Sequence, residues 1–111
     1  MGINAFTPSG NTVTFLANTT APTPVQIVSS TLGGNQYRVI NISSTTLVHL
    51  GFGANVATAN ANATIPGANS AASMPILPNT DEILTFTPNM YVTGITASGN
   101  ATIYITPGDG L

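Results

Sequence analysis

The sequence predicts an all-β fold, an antiparallel β-sandwich or jelly roll of seven or eight short strands. Three observations lead to this prediction. Apolar residues alternate with polar ones in short bursts and do not recur at helical spacing. The bursts are rich in Val, Ile, Thr, Tyr and Phe, which suit a pleated, half-buried surface. Eleven glycines and eight prolines divide the 111 residues into segments too short for long helices. A small closed barrel is the alternative architecture.

Each short segment of alternating apolar and polar residues is assigned to one strand, in chain order. Seven strands are predicted, at residues 12–16, 25–28, 37–42, 47–52, 82–86, 91–96 and 101–106. A candidate eighth strand, at residues 74–77, would lie at a sheet edge. Turn residues separate the strands: Gly33 and Gly34 precede the third, and residues 97–100 (ASGN) join the last two as a hairpin.

Residues 54–73 interrupt the regular spacing of the predicted strands. They form a run of small side chains in which only Val56 and Ile65 are apolar anchors. The alanine content favours a helix, but Asn, Thr, Pro66 and Gly67 oppose it, so no helix is predicted. Structureless loops of this length are uncommon in compact domains. Two interpretations remain open, an unstructured insertion and an extended arm lying on a neighbouring subunit. The domain organisation is therefore one β-sandwich domain, 1–111, with an N-terminal arm at 1–11 and a long loop at 54–73.

Charge is nearly absent. The chain has one basic and three acidic residues, 4% in all, where an ordinary domain has roughly 25%. A protein with so little charge has weak colloidal repulsion and tends to associate, so we expect a surface that contacts neighbours. One cation cannot neutralise a series of phosphates or anionic headgroups, and we expect neither a nucleic-acid nor a membrane partner. The N-terminus has no basic start followed by an apolar segment, so we expect no signal peptide and synthesis in a cytoplasm.

The residues that could carry chemistry are few, and we expect no enzyme, no cofactor and no metal site. His49 lies inside a predicted strand, where a structural or interface role is expected; a zinc site would need several further ligands. Asp81 and Glu82 are adjacent, so on a strand they point to opposite faces and cannot flank one bond. Arg38, the single cation, is expected to form a partly buried pair with one of these two carboxylates, on a neighbouring strand or subunit; a solvated side chain is the alternative.

Contacts with a partner are expected from the long loop and from the single cation. The candidate interface residues are Ala54, Asn55, Val56, Asn60, Asn62, Ile65, Pro66 and Arg38.

Residues 37–108 contain a series of different short motifs. They are YRVIN at 37–41, HLGFG at 49–53, PILP at 75–78 before Glu82, PNMY at 88–91, ITASG at 95–99 and ATIYITPG at 101–108, with a variable Ala-rich loop after the second motif. This pattern resembles a family of small virion proteins encoded beside the major capsid genes of tailed phages, several of which act as head decoration or cement proteins. Residues 1–36 carry no such resemblance.

The resemblance implies a structural role. A protein of this kind binds the outer surface of the phage capsid and stabilises it by bridging neighbouring subunits. The implied partner is the major capsid protein, the implied state a homo-oligomer (dimer or trimer), and the implied location the virion surface after synthesis in the host cytoplasm.

A second functional class stays open, a receptor- or carbohydrate-binding module of a phage fibre or lectin-like protein. Jelly rolls host many lectins, and Asn, Thr and Tyr suit sugar hydroxyls. Tyr37, Tyr91 and Tyr104 would be the sugar-contacting residues. The absence of tryptophan speaks against this class.

Overall fold

The structure, a computed structural model, describes residues 7–8, 10–28, 36–66, 73–85, 87 and 89–109. Within these ranges the chain forms one helix, α1 (Val56–Asn62), between the fifth and sixth of nine strands. The strands are β1 (Thr7–Pro8), β2 (Val13–Ala17), β3 (Val25–Gln26), β4 (Gln36–Asn41), β5 (Val48–Gly53), β6 (Met74–Ile76), β7 (Thr80–Thr85), β8 (Tyr91–Ile95) and β9 (Ala101–Asp109).

The strands form two antiparallel sheets. In the first sheet, β7 pairs with β4 and β4 with β9, and both β1 and β2 pair with the far edge of β9. In the second sheet the order is β3, β8, β5, β6. Side chains from both sheets form one buried cluster, as in a sandwich. The predicted all-β sandwich is therefore confirmed.

The pairing has the pattern of a jelly roll. Strands β2, β3, β4 and β5 pair in turn with β9, β8, β7 and β6. The first half of the chain thus lies antiparallel to the second half as one long ribbon, and this ribbon is wrapped into two sheets. Helix α1 lies at the closed end of the ribbon, between β5 and β6.

The eight predicted strands correspond to β2 through β9, and residues 74–77 are the expected edge strand. The predicted hairpin between the last two strands is wrong: β8 belongs to the second sheet and β9 to the first, so residues 97–100 connect the two sheets. A short turn fits this crossing as well as it fits a hairpin, because the two sheets pack face to face.

Two features of the strands were not predicted: β1, which pairs with the end of β9, and the extension of β9 past Thr106 to Asp109. The part of the expected N-terminal arm that the structure describes includes β1, which belongs to the first sheet. The turn at Gly33 and Gly34, residues 67–72 of the expected loop and the rest of the arm lie outside the described residues.

The core forms because residues that alternate along each strand point to the same side. Tyr37 from the first sheet stacks on Phe52 from the second, with ring centroids 6.2 Å apart and planes inclined by 20°. The Tyr37 hydroxyl donates to the Thr87 carbonyl oxygen at 2.7 Å and accepts from the Met90 N–H at 3.2 Å. The one fully buried aromatic ring in the described core therefore also holds the connection between β7 and β8.

The prediction of no helix in 54–73 is wrong for residues 56–62. Asn55, one of the residues counted against a helix, begins it: its side-chain oxygen accepts from the Thr58 N–H at 2.8 Å. Ala59 is buried, and the Asn62 side chain donates to the Phe52 carbonyl oxygen at 2.7 Å. Packing on the chain's own sheet outweighs the modest helix propensity of Asn and Thr.

Candidate interaction surface

The outward side of the first sheet is an exposed surface, which we call the outer face. The register places outward side chains in rows across β2, β9, β4 and β7. One row runs Thr14, Tyr104, Ile40, Asp81, and a hydrogen bond of 2.6 Å between the hydroxyls of Thr12 and Thr106 begins the next. The residues of the outer face are Thr12, Thr14, Leu16, Arg38, Ile40, Asp81, Ile83, Thr102, Tyr104 and Thr106.

Four of the eight large apolar side chains that are exposed among the described residues lie on the outer face or directly beside it. Leu16, Ile83 and Tyr104 are exposed there, and Ile40 is half-buried. Ile42, also exposed, continues the surface past the end of β4, since its N–H donates to the Thr102 carbonyl oxygen. An exposed apolar patch on one side of a small protein is typical of an interaction site.

The charge on the outer face is internally neutralised. Nε and Nη2 of Arg38 both donate to Oδ2 of Asp81, at 3.1 and 2.9 Å. The predicted pair of Arg38 is therefore formed with Asp81, on the neighbouring strand of the same chain. It is more exposed than expected, since the two side chains are 46% and 51% exposed on the outward side of the sheet. An exposed ion pair adds little stability, at most about 1 kcal/mol. Its larger effect here is to leave the outer face without net charge.

The outer face is shallow and of limited area. Four strands at about 4.8 Å spacing and six residues at about 3.3 Å give roughly 400 Å². A concavity of about 550 Å³ lies at one end of it and includes Gly10, Arg38, Ile83 and Thr106 in its wall. The area is about half of what each partner typically contributes to a stable protein interface.

On the second sheet, in contrast, α1 covers the part of the outward side that β5 forms at Gly51 and Gly53. Gly51 and Gly53 alternate with the core residues Leu50 and Phe52 and lie directly under α1. A Cβ atom on Gly51 would lie 2.3 Å from the Ala63 nitrogen, and one on Gly53 would lie 2.4 Å from the Ala59 nitrogen. These glycines sit within β5 and allow the helix backbone to rest on the strand.

The structure divides the predicted interface residues between two sides of the sandwich. Ala54, Asn55, Val56, Asn60, Ile65 and Pro66 are exposed on or beside α1, and Asn62 is half-buried. Two of them are engaged within the chain, since Asn55 caps the helix and Asn62 bonds to β5. Arg38 lies on the outer face of the other sheet. One flat partner surface therefore cannot contact both groups, and an extended arm formed by residues 56–62 is contradicted.

His49 lies on the outward side of β5, between Pro75 of β6 and Ile95 of β8. Its Nδ1 atom is buried and makes no hydrogen bond to the described part of the protein. Burial lowers the pKa of His49 below its usual value, because the imidazolium form would lose hydration there. A concavity of about 460 Å³ beside it includes Thr46, Ser98 and Gly99 in its wall.

The three tyrosines do not form a common site. Tyr37 is fully buried, and burial raises its pKa, an effect that the hydrogen bond from Met90 reduces. Tyr104 is exposed on the outer face of the first sheet. Tyr91 lies at the start of β8 in the second sheet and is only partly exposed.

Apart from Arg38, sequence reasoning missed the residues of the outer face. A signal for them was present, because β2, β4, β7 and β9 contain adjacent apolar residues, where a strand with one solvated face alternates strictly. In Phe15–Leu16 and Ile83–Leu84, one residue enters the core and its neighbour faces outward. Doubled apolar residues of this kind indicate a sheet with two apolar faces.

The described side chains include no cluster of three or more His, Asp or Glu residues that could hold a metal ion. In the described ranges, no helical segment has the length and apolar character that crossing a membrane requires. Comparison with protein-family models, with curated proteins and with solved structures finds no match.

Proposed function

We propose that this protein is a structural component of a phage virion that binds the capsid surface through its outer face and bridges neighbouring capsid subunits. The observation that carries the proposal is the difference between the two sides of the sandwich. Helix α1 covers the centre of the second sheet, whereas the first sheet has no such cover among the described residues and presents threonines and the exposed residues Leu16, Ile83 and Tyr104.

The chemistry of the outer face suits adhesion. Burial of its apolar side chains against a partner is favourable by about 25 cal/mol per Å². Because Arg38 and Asp81 already neutralise each other, docking of a partner does not bury an unpaired charge. The hydroxyls of Thr14 and Thr102, which lie in the same rows as the apolar residues, can form hydrogen bonds with a partner backbone.

The limited area of the outer face supports a multivalent mode of binding. An area of roughly 400 Å² supports only a weak contact by itself, compared with about 800 Å² per partner in a standard interface. Joining two or three copies converts the second contact into an intramolecular event and raises the apparent affinity. This is the physical reason to expect a dimer or trimer on the capsid.

The direct test is imaging of decorated capsids. Purified protein is added to expanded capsids that lack it, assembled from the major capsid protein of the same genome, and the particles are imaged by cryo-electron microscopy. We expect ordered density at defined lattice positions, with the β2, β9, β4, β7 sheet towards the capsid. Capsids without ordered additional density at saturating protein would overturn the proposal.

The carbohydrate-binding alternative gains no support from the tyrosines on which it depended. Tyr37 is buried in the core, and Tyr91 and Tyr104 belong to different sheets. It stays a prediction that a glycan array tests: binding that Tyr104→Ala abolishes would favour it over a capsid contact.

A further inference from the structure

Strand β7 is the longest uncovered strand edge among the described residues. Of the two edges of the second sheet, β3 has two residues, and β6 has three with Pro75, which has no N–H, at its centre. Such short or proline-containing edges accept an additional strand poorly. Strand β7 has six residues without proline or glycine, and β4 is the strand with which it pairs in the described sheet.

The opposite edge of the first sheet, β2, is one residue shorter than β7 and is held against the rest of the sandwich on both sides of the strand. The Thr96 N–H donates to the Asn18 carbonyl oxygen at 3.0 Å, so the end of β2 is joined to the end of β8 in the second sheet. Before β2, Gly10 lies close to the backbone that follows β3: a Cβ atom on Gly10 would be 2.2 Å from the Val28 carbonyl oxygen. The unpaired backbone groups of β7 therefore form the principal open edge of this part of the sandwich.

The charges of this protein are concentrated at the open edge. Three of the four charged residues lie on β7 or on the adjacent β4: Asp81, Glu82 and Arg38. Arg38 neutralises Asp81 on the outer face. Glu82 is opposite Val39, on the other face of β7, is exposed, and has no ion-pair partner among the described residues. The edge thus carries one uncompensated negative charge near its centre.

A second copy of the chain fits this edge poorly. If a two-fold axis continues the sheet from β7 to β7, residues on the same face must pair. Pairing centred on Asp81 or on Glu82 then brings identical carboxylates directly opposite each other, at about 5 Å, which is unfavourable. Pairing centred on Ile83 places Glu82 opposite Leu84 of the other copy. Both residues are then on the inward side of the continued sheet, where the carboxylate loses hydration. Strand β7 itself brings no basic residue to any of these arrangements.

We propose that the edge of β7 is a docking site for an extended segment of another protein, which pairs with β7 as an additional strand and places a Lys or Arg opposite Glu82. Backbone hydrogen bonds supply the affinity in this mode of recognition, and the alternating side chains supply the selectivity. The open edge of β7 provides the backbone hydrogen bonds, and the uncompensated carboxylate of Glu82 provides the selectivity. This site is separate from the contact proposed for the outer face.

The test uses the isolated full chain labelled with ¹⁵N and three designed eight-residue peptides of alternating Thr and Val. The peptides differ at one position, opposite Glu82, which is Lys, Gln or Glu. We expect the Lys peptide to shift the amide resonances of β7 and to bind about three- to tenfold more tightly than the Glu peptide at low salt, with the Gln peptide between them. In Glu82→Gln, the three peptides should bind β7 with similar affinity.

Three results would overturn the proposal: no shift at β7 with millimolar Lys peptide, equal affinity of the Lys and Glu peptides for the unmodified protein, or a preference for Lys that persists in Glu82→Gln. Because no capsid is present in this experiment, it can fail while capsid binding is observed, and the reverse also holds.

Discussion

Asn41 is a buried polar residue at the end of β4. Its Nδ2 donates to the carbonyl oxygens of Thr46 and Ile76, at 2.9 and 3.4 Å, and its Oδ1 accepts from the Ser43 N–H at 3.0 Å. One amide thus joins the loop after β4 to edge strand β6 of the other sheet.

Replacing Asn41 by Ala should lower the free energy of unfolding by about 2–3 kcal/mol, because it leaves buried backbone groups without partners. Urea-induced unfolding measures this change. The matched control is Asn60→Ala on the exposed side of α1, which should change stability by less than about 0.5 kcal/mol. Equal effects of the two substitutions would contradict the role given to Asn41.

His49 should make the free energy of unfolding decrease as the pH falls. Its pKa in the folded protein is lowered by burial, whereas the unfolded chain has the ordinary value of about 6.5. As the pH falls below that value, the unfolded state binds a proton that the folded state resists, so stability is lost between the unfolded and the folded pKa.

We therefore expect the free energy of unfolding to fall between about pH 7.5 and pH 5, a range in which the ordinary carboxyl groups stay ionised. His49→Gln should remove this slope. Urea titrations at several pH values measure it, and a slope that is unchanged in His49→Gln would show that another group is responsible.

At the scale of the elements, the packing of α1 depends on two glycines in β5. Gly51→Ala should displace the helix, since the added Cβ would lie 2.3 Å from the Ala63 nitrogen and 2.5 Å from the Ala59 carbonyl oxygen. We expect a loss of about 1–3 kcal/mol in stability and faster amide exchange at Ala63, whose N–H donates to Ala59. A variant as stable as the parent, with Ala63 equally protected, would show that close packing on β5 is not needed.

The strands were most readily predicted where they bury alternate residues, and that period is visible in β2, β4 and β9. Helix α1 was not predictable from propensity, because its stability comes from tertiary packing on Gly51 and Gly53. Gly51 lies inside the predicted strand 47–52 and Gly53 directly follows it, and no helix was expected to rest on them. Two glycines two positions apart within a strand leave its outward side bare, which allows another backbone to approach.

The doubled apolar residues signal strands with two apolar faces, but they do not show which strands lie side by side in the outer face. Alternation shows which residues share a face, but the register between strands decides which faces meet, and that register is a property of the whole fold. Only with β2, β9, β4 and β7 placed side by side do Leu16, Tyr104 and Ile83 form one surface.

At the scale of the whole molecule, a protein with 4% charged residues should bind its partner in a way that depends little on salt. The one ion pair of the outer face is already made within the chain. We expect the apparent affinity for capsids to change less than about threefold between roughly 50 and 500 mM NaCl, since few charges across the interface are screened. A steep decrease with salt, measured by co-sedimentation, would indicate an electrostatic contact instead.

The central claim is that the outer face, and not the side covered by α1, contacts the capsid. Two exposed apolar residues allow a matched comparison: Tyr104 on the outer face is 37% exposed, and Val56 on α1 is 42% exposed. Binding of Tyr104→Asp and Val56→Asp to undecorated capsids is measured by co-sedimentation, after both are shown to be folded. We predict a loss of at least about tenfold for Tyr104→Asp and unchanged binding for Val56→Asp. Unchanged binding of Tyr104→Asp together with loss of binding in Val56→Asp would contradict the account.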